Sequence, residues 1–598
     1  MNIDYLHSTI HRWKGLIDNF EEAEKQLYVN PVLSIISSRR AMEWLVKDIY
    51  KSNCDYYDIN LTVFEMINEQ TFIDCIKNKD FLDSLHYVRK VGNSVTHGSV
   101  ATFAEAAKVL KELHYLIGET AILYGEVSTY PSFVLPSRTL SQPENTHLND
   151  EIVNRGGRFI LQYYFQKGTE IKLIDGSKIT ILEKLGEGGQ GIVYKVKYNS
   201  KEYALKWYLK SYLKNMGQKN PKNVRDFYEN LISNASNGAP SDAFLWPIAV
   251  TEQFDDSFGY LMDLYPSGYV GFSKFLNASA HFSNTNAVIN ATINMVQAFQ
   301  ALHQKGYSYQ DINDGNFFVN PQTGAVLICD NDNVAPYGEG FGIGGKSRYM
   351  APEIVLGEEK PNTHSDDFSL SVVLFMFYFL SHPLEGQKVV SCPCLTDKYE
   401  RKFYAEDPIF ICDPDNLENR PVRGIHNNAI KLWPLFPGYL QEAFIRAFSR
   451  GAKNKNERLT ENEWLKVFYR LKDDLFICAQ CGEELFASME QNGKIVCNDC
   501  GITIDKPLVL EGKRTEVALY PTRKITSRQI DGEKQETVIG TIVQNKNNPN
   551  LWGLRNMTTM PWIVILPNGE EKTVSANGVV PIVKDIKVNT GNSNFRIK

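Results

Sequence analysis

Residues 309–332 read YQDINDGNFFVNPQTGAVLICDND, and the rest of the chain is organised around them. Two carboxylates, Asp311 and Asp330, flank an amide at Asn316, an apolar run at Phe317, Phe318 and Val319, a Pro-Gln-Thr-Gly turn, and a second apolar run at Val326, Leu327 and Ile328. Short β-type runs on either side of a turn read as a hairpin, which carries both acidic ends to one place. Phosphoryl transfer from a metal-bound nucleotide needs such a place: one carboxylate accepts a hydroxyl proton, while an amide and a second carboxylate hold magnesium.

Upstream, LGEGGQGIVYKV puts Gly186, Gly188 and Gly191 in G-x-G-x-x-G spacing, followed by Val193. Glycine lets the backbone approach a phosphate because no Cβ intervenes. Dinucleotide-binding folds use the same spacing, but there a helix follows the glycines. Here a strand pattern follows (192–196), then another (202–207) that carries Lys206, and a lysine on the strand after a glycine-rich hairpin is a kinase arrangement. Downstream come GYLMDL at 259–264, GGKSRYMAPE ending in Ala351-Pro352-Glu353, HSDDFSLSVVLF, and Arg458 within NERLTENEW.

In this order the motifs resemble those of a bacterial, eukaryotic-type Ser/Thr protein kinase domain, and the resemblance covers 157–472. It implies a bilobal protein-kinase fold, ATP and Mg2+ as cofactors, and a protein substrate. By the same resemblance Gly186, Gly188, Gly191 and Val193 cover the nucleotide, and Lys206 grips its α- and β-phosphates. Glu229, in VRDFYENLI, is then the expected ion-pair partner of Lys206, with Glu202 a poorer one on the lysine's own strand. Backbone groups near Asp263 and Tyr265 meet adenine, Asp311 takes the hydroxyl proton, Asn316 and Asp330 hold magnesium, and Arg458 pairs with Glu353. Departures from the family sit in the same stretch. Tyr309-Gln310-Asp311 stands for His-Arg-Asp, Asn313 for a lysine, and Asp330-Asn331-Asp332 for Asp-Phe-Gly. Without the arginine, activation is expected not to depend on phosphorylation of the activation loop. A nucleotide-binding scaffold that recruits partners without transferring phosphate is the alternative reading.

The chain has 598 residues, 43% of them hydrophobic, which suffices for several packed domains. Lysine and arginine number 64 against 70 acidic residues, so no global basic field favours nucleic acid. MNIDYLHSTIHRW lacks a basic-then-apolar leader pattern, which points to the cytoplasm. The longest apolar run, Leu370 to Leu380, is shorter than the roughly 20 residues a bilayer requires and reads as a buried core helix. The fold class expected is multidomain α+β.

Residues 1–128 show apolar steps of three and four, as at Met42, Leu45, Val46 and Ile49, and read as a helical bundle. Within it Arg89, Asn93 and His97 fall four apart on one helix face. The segment resembles helical domains found ahead of restriction and defence modules, and distantly the HEPN fold, whose ribonuclease members use an Arg-polar-x-x-x-x-His motif. Arg89 here stands eight residues before His97, so the readings are a staple between two helices, a nuclease site, and contact with a partner or nucleic acid. Residues 129–156, rich in Pro, Ser, Thr and Asn, read as a linker, and FILQYYF (159–165) as a first strand. Cys478, Cys481, Cys497 and Cys500 form C-x2-C, fifteen residues, C-x2-C, the spacing of a structural Zn2+ ribbon over 473–505. Residues 506–598 alternate apolar and polar and read as a β-sandwich-like domain. NPNLWGLRNMTTMPW weakly resembles a degenerate FHA module, in which Arg555, Asn556 and Thr558 either read phosphothreonine or form a structural turn. This combination of modules suggests bacterial signalling or phage defence, with a protein phosphatase or a von Willebrand-type protein as partner.

Overall fold

A computed structural model of the chain describes residues 2–3, 5–6, 10–28, 30–53, 63–96, 102–136, 165–188, 190–220, 222–339, 345–392, 396–513, 515–532, 536–548 and 551–598. The chain forms two compact units, Met1–Tyr163 and Tyr164–Lys598.

The first unit is helical, with helices at Ile10–Gln26, Pro31–Asn53, Val63–Asn68, Gln70–Ile76, Lys79–Thr96 and Phe103–Leu123. Met42, Leu45, Val46 and Ile49 are fully buried against Leu85, Val88, Leu110, Leu113 and Ile117, so the apolar stripes read from the sequence face one core. The last helix starts at a capping box in which Thr102 and Glu105 satisfy each other's backbone N–H. Of the proposed polar triad, His97 and the side chain of Asn93 lie outside the described residues, as do 137–156 of the linker and all of FILQYYF except Phe165.

In the second unit a six-stranded antiparallel sheet has the order Glu170–Lys172, Lys178–Glu187, Gly191–Tyr198, Lys201–Tyr208, Gly259–Met262, Ala249–Val250. Asp175-Gly176 makes the expected tight turn, with Gly176 at φ +83°. Helices Lys210–Lys219 and Lys222–Asn237 cover one face of this small lobe through Leu213, Phe227 and Leu231.

The large lobe is built around Thr363–Phe379, whose residues from Ser365 onward are all buried. This is the core helix read at Leu370–Leu380, and Leu380 itself is the left-handed cap at φ +47°. No helix among the described residues is long and apolar enough to cross a membrane. Helices Thr285–Gln304 and Glu461–Asp474 flank the core helix.

Beyond it lie two small hairpins, Leu475–Ile477 with Glu484–Phe486 and Lys494–Val496 with Thr503–Asp505. Two antiparallel sheets follow, of six and four strands, sharing a core that includes Leu510, Ile525, Leu554, Trp562 and Val588. This terminal part is fastened to the large lobe. Asp473, fully buried at the end of the last lobe helix, accepts from Arg528 Nη2 at 2.7 Å, Arg528 Nη1 at 3.1 Å and Gln529 Nε2 at 2.8 Å. Arg523 donates to the carbonyls of Leu475 (2.6 Å) and Lys472 (3.0 Å).

Candidate active site

The quoted stretch folds as the expected hairpin, with Val319 opposite Val326 and Phe317 opposite Ile328. A second ladder pairs Tyr307–Tyr309 with Val334–Pro336, so both ends of the stretch are fixed. Asn316 closes the loop: its side-chain amide donates to the Asp311 carbonyl at 2.8 Å, and its own carbonyl accepts from Cys329 N at 2.9 Å, next to Asp330. The Tyr309 hydroxyl bonds the Cys329 carbonyl, and its backbone N–H donates to Asp366 Oδ2 at 2.6 Å. Asp366 is held in turn by His303 Nε2 at 3.1 Å, while His303 Nδ1 meets Glu461. Burial opposes the imidazolium, but the carboxylates of Asp366 and Glu461 outweigh it and raise the His303 pKa to about 10.

Lys206 projects into the cleft from the strand Lys201–Tyr208 with Val193 opposite it in the sheet. Its ammonium is buried and donates to Asp332 Oδ2 at 2.8 Å, Asp330 Oδ1 at 3.1 Å and Gln190 Oε1 at 2.8 Å. Burial disfavours that charge, yet Asp332 and Asp330 more than compensate and hold the pKa above the ordinary lysine value.

Glu229 does not take the partner role expected of it. It lies on the outer face of Lys222–Asn237, its side chain 67% exposed and 3.7 Å from Arg225. The inner face of that helix carries amides instead, Asn230 and Asn234, both donating to the Val334 carbonyl. Asp332 replaces Glu229, and Tyr208 Oη donates to it at 2.6 Å. Asn331, where apolar packing is usual, is fully buried and donates to the carbonyls of Leu245 (2.7 Å) and Ile328 (2.9 Å).

The glycines divide by cause. A Cβ at Gly191 would lie 2.4 Å from the Trp207 carbonyl oxygen, so the ladder itself requires glycine there. At Gly186 and Gly188 a Cβ would meet nothing within 4 Å, which leaves open space beside the loop for a phosphate. Asp263, at the end of Gly259–Met262, pairs with Lys201 at 3.1 Å, and Tyr265 stacks on Phe318 with centroids 4.9 Å apart. Asp311 is partly buried, one carboxylate oxygen has no hydrogen-bond partner, and burial raises its pKa against the opposing pull of Asn313 and Lys346. In the large lobe Arg458 grips Glu353 through both guanidinium ends at 2.7 Å.

The family model described as protein kinase domain matches residues 179–401. This part of the chain is a protein kinase domain. Similar solved structures include two mutant forms of the PknI kinase domain of Mycobacterium tuberculosis. The double mutant is 16% identical, with a TM-score of 0.35, over 52% of this chain and 100% of its own. A single mutant is 17% identical, with a TM-score of 0.34, over 51% and 98%. No curated protein matches the chain.

A protein kinase domain implies ATP and a divalent metal, and the residues in the cleft fit both. The oxygens of Asp330 and Asn316 are hard ligands suited to Mg2+. The half-exposed Asp330 side chain and the unpartnered Asp311 oxygen leave donor capacity unused inside the protein.

The four cysteines of the hairpin pair also converge. Cys478 and Cys500 Sγ are 3.9 Å apart, Cys481 and Cys497 Sγ 3.5 Å, and all four atoms lie within 4.8 Å of one another. Tetrahedral zinc with Zn–S bonds of about 2.3 Å sets its sulfurs about 3.8 Å apart, so the cluster has the size of a four-thiolate zinc site. Each C-x2-C turn is closed the same way, Gly482 N to Cys478 O and Gly501 N to Cys497 O, with both glycines at positive φ.

In the terminal sheets Asn556 is fully buried, donates to the Met560 carbonyl and accepts from Thr558 N and Oγ1. Asn556 and Thr558 therefore staple a turn; of the residues considered for reading phosphothreonine, these two are spent on structure.

Proposed function

We propose that the chain is an ATP- and Mg2+-dependent kinase that phosphorylates Ser or Thr on a protein partner and on itself. The observation that carries this reading is the Lys206 ammonium, buried between Asp330 and Asp332 and facing a catalytic loop closed by Asn316. Lys206 binds the non-transferred phosphates, and Asn316 with Asp330 holds the metal. Asp311, oriented by its loop, accepts the hydroxyl proton, a role worth about 10² to 10⁴ in rate. Bound MgATP supplies the phosphoryl group and the charge neutralisation at its oxygens. Gln310 Nε2 donates to the Glu339 carbonyl at 2.6 Å, tying the activation segment to the loop with an amide, which supports activity without loop phosphorylation.

The four-cysteine site holds structural zinc, and the sheets after it serve as a protein-interaction module. We place the protein in the cytoplasm, in bacterial signalling or phage defence. Incubation with labelled ATP and Mg2+ tests the reading. Label is expected on serine or threonine and is expected to vanish with EDTA; ATP-induced stabilisation with no label on any protein would favour the scaffold.

A further inference from the structure

We propose that Lys346, on the activation segment, supplies to the transferring phosphoryl group the cation that position 313 lacks; this rests on the kinase reading above. Asn313 is buried and its amide oxygen accepts twice. Nδ2 donates to the Asp311 carbonyl at 3.1 Å, while Oδ1 accepts from Gly315 N at 3.0 Å and from Lys346 Nζ at 3.0 Å. Lys346 Nζ is also 3.6 Å from Asp314 Oδ1. An ammonium thus sits on the catalytic loop two residues from the base, delivered by another segment.

That segment is pinned on both sides of the lysine. A Cβ at Gly345 would come within 3.3 Å of the Gln310 carbonyl oxygen, so the backbone there lies close against the loop. Tyr349 Oη donates to Asp314 at 2.8 Å, Arg348 pairs with Glu385 at 2.9 Å, and His382 Nε2 bonds the Arg348 carbonyl at 2.7 Å. The Lys346 side chain itself remains 57% exposed. An ammonium has three N–H donors, and the one on Asn313 leaves others for an anion. Lys206 cannot serve both ends of the nucleotide, since it is buried among Asp330, Asp332 and Gln190.

In the transfer, the substrate hydroxyl oxygen bonds to the γ-phosphorus as the bond from that phosphorus to the bridging oxygen breaks. The electron pair goes to the bridging oxygen and the proton to Asp311, while Lys346 stays protonated. Its charge acts where negative charge spreads over the transferring group, so it favours the transition state over bound ATP.

The test uses the full chain as wild type, Lys346→Met and Lys346→Met/Asn313→Lys. Lys346→Met is expected to lower kcat about 10- to 100-fold with little change in KM for ATP, and the double variant to regain most of it. Affinity for MgADP with aluminium fluoride, a mimic of the transferring group, is expected to fall and recover in parallel, with MgADP alone unaffected. Equal kcat in wild type and Lys346→Met would overturn the proposal, as would a loss that Asn313→Lys fails to restore, which marks a structural latch. A wild type that transfers nothing would sink the kinase reading instead. The aluminium fluoride arm then still decides, because equal affinity in wild type and Lys346→Met overturns the role of the lysine.

Discussion

The division of labour around Lys206 is decided by single side chains. A lysine buried in the cleft needs a carboxylate, and the helix that ordinarily offers one presents Asn230 and Asn234. Asp332 meets the need from the hairpin's far end, so one short segment, Asp330 to Asp332, both anchors the lysine and carries the carboxylate proposed to hold magnesium. The two candidate partners can be told apart. Glu229→Ala is expected to leave ATP affinity within about twofold, as befits an exposed i,i+4 pair. Asp332→Asn leaves a buried ammonium with a weaker partner and is expected to cost about tenfold or more in ATP affinity. Titration of both variants with a fluorescent nucleotide checks this, and the reverse ranking would restore Glu229. Lys206, Asp311, Asn316 and Asp330 were legible in the sequence because their spacings are set by one strand and one hairpin. Asp332 was not, since its role appears only when residues 126 positions apart meet.

Between elements, the catalytic loop hangs from the helices of the large lobe. His303 on Thr285–Gln304, Asp366 on Thr363–Phe379 and Glu461 on Glu461–Asp474 join three helices at the backbone of Tyr309, with Asp367, His364 and Arg458 nearby. His303 holds its proton up to about pH 10 in the folded chain but only to about 6.5 unfolded. Between those values the folded state carries a proton the unfolded state lacks, so stability is full below about pH 6.5 and falls as pH rises. Asp367, raised to about 8 chiefly by burial, adds a loss of the same sign below that pH. Thermal melts from pH 6.5 to 10 are expected to show a falling Tm, and His303→Gln to flatten that fall; an unchanged slope in the variant would contradict the assignment.

The paired cysteine turns make a separate prediction at this scale. Purified protein should carry about one zinc per chain, and its removal by a strong chelator, or Cys497→Ser, should unfold the hairpin pair and lower Tm. Metal-free protein with an unaltered melt would count against it. The C-x2-C spacing made this element readable without a structure, because each knuckle is a local turn.

For the molecule as a whole, the sequence told more about the parts than about their joins. Apolar periodicity exposed the helices of the first unit, and alternation exposed the terminal strands. The buried Asp473 and its arginine partner were invisible, since Arg528 is 55 residues away and nothing local marks it as other than a surface charge. The activation segment shows the same limit: Lys346 reaches Asn313 across 33 residues, in a loop without periodicity. The departures at Gln310, Asn313 and Asp332 thus coincide with tertiary bonds that hold the site together, and the central claim is that the site transfers phosphate despite them. Transfer of labelled γ-phosphate by wild type and by Asp311→Asn, with nucleotide affinity measured on both, tests that claim most directly. Labelling by wild type and its loss by at least about 100-fold in Asp311→Asn at unchanged affinity is the predicted result; equal labelling by the two proteins would contradict it.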